Sequence, residues 1–283
     1  MTAPSAPPVC YRHPGQETYV ACTRCERPIC PDCMHAASVG FHCPDCVRAG
    51  TRSVRAPRSA FGGRAVRSAD VTIGLIAINV GVFVATAAGG TSLAFAGGSS
   101  PLYLRFALIP GFIAEQHQYY RLLTSMFLHF GLAHIAFNML ALFYVGPTLE
   151  RALGRVRYLA LYLLAGLGGS VLSYLLGSVG QASAGASGAI FGLFAALFVV
   201  LRRQGLDPRG VVGLIAINLV FTFASPFIDK WGHVGGLATG AVLAWVLAYA
   251  PRGPRRSLVQ GVGAGIVCLL LVAVTALRTA ALT

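Results

Sequence analysis

A serine set between glycines, two histidines and an asparagine stand in otherwise apolar sequence, and together they could perform acyl transfer. The serine is Ser187, in Gly185-Ala186-Ser187-Gly188, where a polar loop gives way to the apolar run 189–201. A serine hydroxyl is a weak nucleophile until a base takes its proton, and an imidazole suits that task near neutral pH. His233, near the start of a later apolar run, is the candidate base. Attack on a carbonyl also needs donors aimed at the developing oxyanion. The backbone N–H of Ser187, the imidazole of His134 and the amide of Asn138 are the candidates. The i, i+4 spacing of the last two puts both on one helix face. Gly185 and Gly188 leave room for a substrate backbone beside the hydroxyl. Taken alone, Ser187 is better explained as a helix cap or a small-residue packing motif. Polar groups in three hydrocarbon-rich segments shift the balance, because such groups are costly in lipid and turn towards a bundle interior. Interhelical hydrogen bonding is the structural alternative.

A second constellation lies near the N-terminus. Seven of the eight cysteines fall between Cys10 and Cys46, and Cys268 sits in an apolar run. They form four pairs with one spacing: Cys10/His13, Cys22/Cys25, Cys30/Cys33 and Cys43/Cys46. A two-residue gap lets both side chains of a turn reach one tetrahedral ion. Eight donors make two closed sites, and closed sites are structural rather than catalytic. Two structural Zn2+ ions are therefore expected, with no cofactor for catalysis. Their pairing stays open: a cross-brace would join Cys10/His13 to Cys30/Cys33 and Cys22/Cys25 to Cys43/Cys46, and sequential pairing is the other possibility. The cross-braced arrangement resembles B-box-type zinc fingers. His35 and His42 lie nearby but are not expected to be ligands. So short a segment cannot build a sufficient core, and metal binding is expected to supply its folding energy.

Composition limits what surrounds these groups. Of 283 residues, 55% are hydrophobic and 11% charged, against about 25% charged in soluble domains. Most of the chain is expected to lie in a bilayer. The net charge of +13 is carried by arginine clusters between apolar runs, and no basic face with interleaved aromatics suggests nucleic acid. The opening MTAPSAPPV lacks an apolar core, so no cleavable signal peptide is expected and the thiols are expected to stay in a reducing cytosol.

The expected organisation is a disordered tail (1–9), a Cys/His zinc-binding module (10–47), a basic linker (48–69), a six-helix core (70–250), and a seventh membrane helix with the C-terminal tail (251–283). The linker carries Arg48, Arg52, Arg55, Arg58, Arg64 and Arg67, and suits anionic lipid heads. Apolar runs are placed near 71–89, 121–145, 155–177, 187–202, 210–226, 231–250 and 257–277. Loops after the second, fourth and sixth runs hold Arg151/Arg155/Arg157, Arg202/Arg203/Arg209 and Arg252/Arg255/Arg256, whereas those after the third and fifth hold only Lys230. That alternation predicts a cytoplasmic N-terminus, seven crossings and an outer C-terminus. Residues 90–120, broken by Pro101 and Pro110, are expected to form an interfacial loop. A second run beginning at Arg121 would carry His134 roughly 20 Å along its helix, near mid-bilayer.

Residues 71–250 resemble the rhomboid intramembrane serine proteases. The motifs are Arg121-x2-Thr124, His129-Phe-Gly-Leu-Ala-His134-x3-Asn138, Glu150-Arg151, Gly185-Ala-Ser187-Gly188 and Gly232-His233-x2-Gly236-x3-Gly240. The resemblance implies a rhomboid-like six-helix bundle; the seventh run and the zinc-finger module lie outside it, so the expected fold is an all-α polytopic membrane protein with one extra C-terminal transmembrane helix, preceded by the zinc-finger module. It implies Ser187 as nucleophile, His233 as base, and His134 and Asn138 in the oxyanion hole. Phe191 matches an aromatic position packed on the catalytic imidazole, His129 belongs to the supporting motif, and Gly236 and Gly240 would bring the sixth helix close to the fourth. The implied reaction is endoproteolysis of substrates in or near their transmembrane segments, by a Ser–His dyad in a bacterial plasma membrane. The expected partners are those substrates and the bilayer; for the zinc module three roles stay open: holding a cytosolic protein partner, positioning a substrate tail, or folding as an anchor. Arginine richness with a single lysine suggests a GC-rich bacterial genome. The sequence departs from the family at Gly232, where alanine is common, and at Tyr119-Tyr120, where a tryptophan is common. No carboxylate is expected inside a helix to complete a triad, and Asp229 is expected in the outer loop. A catalytically inactive protein that binds membrane clients is the alternative, and a transporter using His relays is disfavoured by the lack of membrane carboxylates and inverted repeats.

Overall fold

A computed structural model describes residues 6–53, 58–88 and 100–283. The expected disordered residues 1–5, Arg55 of the linker and residues 89–99 of the long connection lie outside them. The chain divides into two compact units, 1–57 and 58–283.

The first unit has little regular structure: a 3-10 turn Pro31–Cys33, the short strands β1 (His35–Ala36) and β2 (Phe41–His42), and helix α1 (Pro44–Ser53). Its interior is Cys10, Cys22, Ile29, Cys30, Cys33 and Cys43, so thiols replace the apolar core that so short a segment lacks. The ordered module exceeds its expected limits at both ends. Val9 bridges to Glu17 and Thr18 donates its N–H to the Pro8 carbonyl at 2.9 Å, while α1 runs on through Arg48 and Arg52.

The second unit is helical. Its elements are α2 (Asp70–Ala88), α3 (Pro101–Phe106), α4 (Pro110–Gln116), α5 (Arg121–Thr124), α6 (Leu132–Leu153), α7 (Arg155–Leu176), α8 (Ser187–Gln204), α9 (Arg209–Ala224), α10 (Lys230–Tyr249) and α11 (Arg256–Leu282). Among the described residues, α2, α6, α7, α8, α10 and α11 are long and apolar enough to cross a membrane. The apolar α9 has 16 residues and is shorter. Eight consecutive α8 residues, from Ala189 to Ala196, are buried, which requires neighbours on every side. α8 is thus the central post, with α7 and α10 against it. The fully buried Tyr158, Leu161, Tyr162, Leu193 and Leu243 join these helices.

Close approach of α8 and α10 depends on glycine. A methyl on Gly236 would collide with the Gly188 carbonyl, and one on Gly240 would collide with the Gly192 backbone. Small residues at such crossings let two backbones touch.

The second expected run requires correction. It is not one helix from Arg121: α5 is followed by a 3-10 turn Ser125–Phe127, an extended Leu128, and an extended Gly131 before α6 starts at Leu132. The buried Arg121 anchors α5 apart from α6. Its Nη1 donates to the Leu104 and Ala107 carbonyls at 2.8 and 2.7 Å, tying α5 to the α3 segment. His134 therefore stands in the first turn of α6, with Asn138 about 6 Å further along, rather than deep in a helix begun at Arg121. α6 also runs further than expected, through Pro147 to Leu153. Glu150 consequently lies inside a helix rather than in a loop. Fully buried, it accepts from the Val71 and Thr72 N–H groups at 3.0 and 2.9 Å and from the Thr72 hydroxyl at 2.8 Å. It satisfies N–H groups that the start of α2 leaves without intrahelical acceptors.

Part of the expected linker also packs. Phe61 is buried, donates its N–H to the Ala152 carbonyl at 3.3 Å, and accepts from Gln260 Nε2 at 3.0 Å. Arg157 at the start of α7 donates to Gln260 Oε1 at 2.7 Å and Ser257 Oγ at 3.0 Å on α11. Arg203 at the end of α8 reaches the Ala248 carbonyl near the end of α10 at 3.4 Å. These arginines lie at the opposite end of α7, α8 and α10 from Ser173, Ser187 and Asp229.

Candidate active site and metal centres

Ser187 is the first residue of α8, and its Oγ lies 2.8 Å from His233 Nε2 on α10. The Gly188/Gly236 contact sets this distance, since it brings the two helix starts together. His233 is held on both remaining sides. Phe191, one turn beyond Ser187, stacks on the imidazole with centroids 4.1 Å apart and planes at 16°. On the far edge, His233 Nδ1 lies 2.7 Å from Thr222 Oγ1 of α9. The α10 start is fixed by Asp229, which accepts the Gly232 N–H at 2.9 Å and the hydroxyls of Ser173 and Ser183 at 2.6 and 2.5 Å. Asp229 is thus a helix cap with three partners, as its place before an apolar run allows.

The loop before α8 is equally constrained. Leu108 and Ser183 exchange backbone hydrogen bonds at 2.9 and 2.8 Å, and Gly185 donates to the Ser125 carbonyl at 2.9 Å. Gly185 has φ +138°, a conformation that favours glycine. Any side chain there would also strike His134: a methyl would lie 2.7–2.8 Å from its Cε1 and Nε2, and 3.6 Å from Ser187 Oγ.

Ser187, His233, His134, Asn138, Gly185 and Gly188 line one cavity of about 950 Å3. The ring of His134 stacks on Phe130 at 4.0 Å and packs at 5.0 Å from His129, which is itself buried. Asn138 Nδ2 donates to the His134 carbonyl at 2.8 Å, which uses one of its two N–H groups and leaves one to aim elsewhere. The structure therefore brings together Ser187, His233, Phe191, His134, Asn138, Gly185 and Gly188. Gly236 and Gly240 sit at the helix crossing, and His129 packs behind His134.

Thr222 was not singled out from the sequence. The signal was Asn218-x3-Thr222, two polar residues one turn apart in the fifth apolar run.

In the first unit the eight expected donors fall into two groups. Cys10, His13, Cys30 and Cys33 form one, and Cys22, Cys25, Cys43 and Cys46 the other. The spacing pattern left the pairing open; the structure has the cross-brace. Donors around a tetrahedral ion with bonds of about 2.0–2.3 Å must stand roughly 3.3–3.8 Å apart. His13 Nδ1 lies 3.2, 3.5 and 3.9 Å from the sulfurs of Cys30, Cys33 and Cys10, and the Cys25 and Cys43 sulfurs are 3.7 Å apart. Both groups fit a metal ion. Burial alone would raise the Cys10 thiol, but backbone donors at Cys30, Arg12 and His13 outweigh it and bring it down to about 6. Cys22 is brought to about 6 in the same way by Cys43, Arg24 and Cys25. The Arg27 guanidinium reaches the sulfurs of Cys25 and Cys43 at 3.4 and 3.7 Å and offsets the charge of the four-cysteine group. His35 and His42 face each other across β1 and β2 and belong to neither group.

The helices define an all-α polytopic membrane fold, and Ser187 and His233 stand at hydrogen-bond distance within it. A Rhomboid domain matches residues 116–250. The chain is 44% identical over 146 residues to "Rhomboid protease GluP" of Bacillus subtilis, covering 50% of this chain and 28% of that one. It is 35% identical over 134 residues to "Putative rhomboid protease YdcA" of the same organism, covering 46% of this chain and 67% of the relative. To "RHOMBOID-like protein 1" of Arabidopsis thaliana it is 35% identical over 153 residues, 52% of this chain and 39% of the other. The chain belongs to the rhomboid family. It spans under half the length of the relatives GluP and RHOMBOID-like protein 1.

Proposed function

We propose that this chain is an intramembrane serine endopeptidase, cutting membrane proteins in or near their transmembrane segments. The observation that carries this is the 2.8 Å contact between Ser187 Oγ and His233 Nε2 inside the cavity. Ser187 Oγ attacks the scissile carbonyl carbon as His233 Nε2 takes the hydroxyl proton. The carbonyl oxygen becomes an oxyanion, stabilised by the Ser187 N–H, the His134 imidazole and the free Asn138 N–H. Ser187 heads its helix, so its N–H has no intrahelical acceptor and is available. Collapse breaks the C–N bond, and His233 returns the proton to the leaving amine. Water then adds to the acyl-serine as His233 accepts its proton, and collapse frees the carboxylate end and regenerates Ser187. The substrate must be unwound locally, because Ser187 Oγ has to reach a backbone carbonyl carbon that an intact helix shields. With the acidic Asp229 engaged elsewhere, the chemistry runs on a dyad.

The arginine-bearing helix ends lie together, which supports a cytoplasmic side there and, with it, a dyad toward the outer face of a bacterial plasma membrane. The N-terminal module is then cytosolic, and its two sites hold structural Zn2+ that folds the module and takes no part in the reaction. A client-binding protein without catalysis would have no need of a serine–imidazole contact at hydrogen-bond distance.

The test is cleavage of a single-span reporter reconstituted in liposomes with the full chain. Cleavage by the parent and none by Ser187→Ala is expected. Equal cleavage by both would remove Ser187 from the reaction.

A further inference from the structure

We infer that Thr222 is a positioning residue for the base: it fixes the tautomer and the orientation of the His233 imidazole. This rests on the Ser187–His233 reading above. Three contacts run in series, from Ser187 Oγ to His233 Nε2 at 2.8 Å, from His233 Nδ1 to Thr222 Oγ1 at 2.7 Å, and from Thr222 Oγ1 to the Asn218 carbonyl at 2.7 Å. The carbonyl can only accept, so the threonine proton points to it. The threonine oxygen then accepts, and Nδ1 must carry the imidazole proton. Nε2 is left as a bare lone pair facing the serine hydroxyl, the form a general base requires. The opposite tautomer puts a proton on Nε2. The Thr222 hydroxyl would then have one proton for two acceptors, and one contact would go unmade.

Burial makes this choice matter. Thr222 is 1% exposed and His233 8%, so water does not readily replace a missing partner. No carboxylate takes the position, because Asp229 is engaged by Ser173, Ser183 and Gly232. Val211 and Thr222 are the two buried residues of α9, while Ile217, Val220, Phe221 and Phe223 on the same helix are exposed. The only deeply buried side chain near the C-terminal end of α9 is therefore the one that holds the base. A hydroxyl in place of a carboxylate also orients the ring without adding a buried charge.

The experiment uses the full chain in detergent and measures inactivation by a fluorophosphonate, separating the maximal rate of serine modification from the concentration giving half of it. Thr222→Val keeps the branched shape and removes the acceptor. Its maximal rate is expected to fall about 10- to 100-fold with the half-saturating concentration unchanged, as befits a buried donor left unpaired. Thr222→Ser is expected to restore the parent rate. Should Thr222→Val fail to fold, Thr222→Ser and Thr222→Ala decide the matter, since both lack the methyl and only serine keeps the hydroxyl. Equal loss in serine and alanine variants would mean that packing is the role and would overturn the assignment. Modification lost in Ser187→Ala but unchanged in Thr222→Val would overturn it while leaving the dyad intact. Modification persisting in Ser187→Ala would overturn both.

Discussion

Gly236 on α10 faces the carbonyl of Gly188 on α8 so closely that no Cβ can be added to it. One residue before that carbonyl is Ser187, and one turn before Gly236 is His233. The helix crossing and the dyad are therefore the same piece of geometry.

Gly236→Ala is expected to push α10 from α8, lengthening the Ser187–His233 contact. Overpacking of this kind costs about 1–3 kcal/mol. A lower thermal midpoint in detergent and a large loss of activity are expected. An unchanged midpoint with full activity would show that the helices yield there without effect.

Asn138→Ala removes one oxyanion donor while leaving Ser187 and His233 in place. A fall in kcat of about 100-fold is expected, with substrate affinity little changed. Unaltered kinetics would reduce Asn138 to its bond with the His134 carbonyl.

Glu150 binds the start of α2 at the end of the bundle away from Ser187. Glu150→Ala leaves the buried Thr72 N–H without an acceptor, at about 1–3 kcal/mol, and frees the half-buried Val71 N–H as well. Thermal unfolding should show the loss. A midpoint equal to the parent's would mean that water serves those groups equally well.

The cross-brace makes a prediction about metal stoichiometry. Changing Cys10 and Cys30 together to serine affects one site, whereas changing Cys10 and Cys22 affects both. Metal analysis of the purified chain should find one ion retained in the first variant and none in the second. The reverse would indicate sequential pairing. Removal of the ions by a chelator should expose residues 10–47 to protease and leave reporter cleavage unchanged; activity that disappeared with the metal would join the two units functionally.

Motif spacing carried much of this in advance. The two-residue gaps fixed the eight donors, though not their pairing, because a turn holds its own two ligands and says nothing of which turn it meets across the module. Ser187, His233, His134 and Asn138 were legible because polar groups stand out in apolar runs. Helix ends were harder to read. Hydropathy alone joined Arg121 to α6, since the intervening Met126, Phe127 and Leu128 are as apolar as a helix core, whereas the chain turns extended at Leu128 and Gly131 and Arg121 binds carbonyls of a distant segment. Glu150 looked like a loop residue because a carboxylate inside a membrane helix needs N–H partners, and those come from α2, 78 and 79 residues away in sequence. Thr222 escaped notice for the same reason: its partner is on another helix, and a threonine in an apolar run ordinarily bonds back to its own helix.

The central claim is that Ser187 is activated by His233. Fluorophosphonate treatment of the purified chain, beside Ser187→Ala and His233→Ala, tests it most directly, with the modified residue located by mass spectrometry. Modification of the parent at Ser187, and of neither variant, is predicted. A folded parent that resists a reagent reactive with a control serine hydrolase, or a Ser187→Ala variant that still reacts, would contradict it.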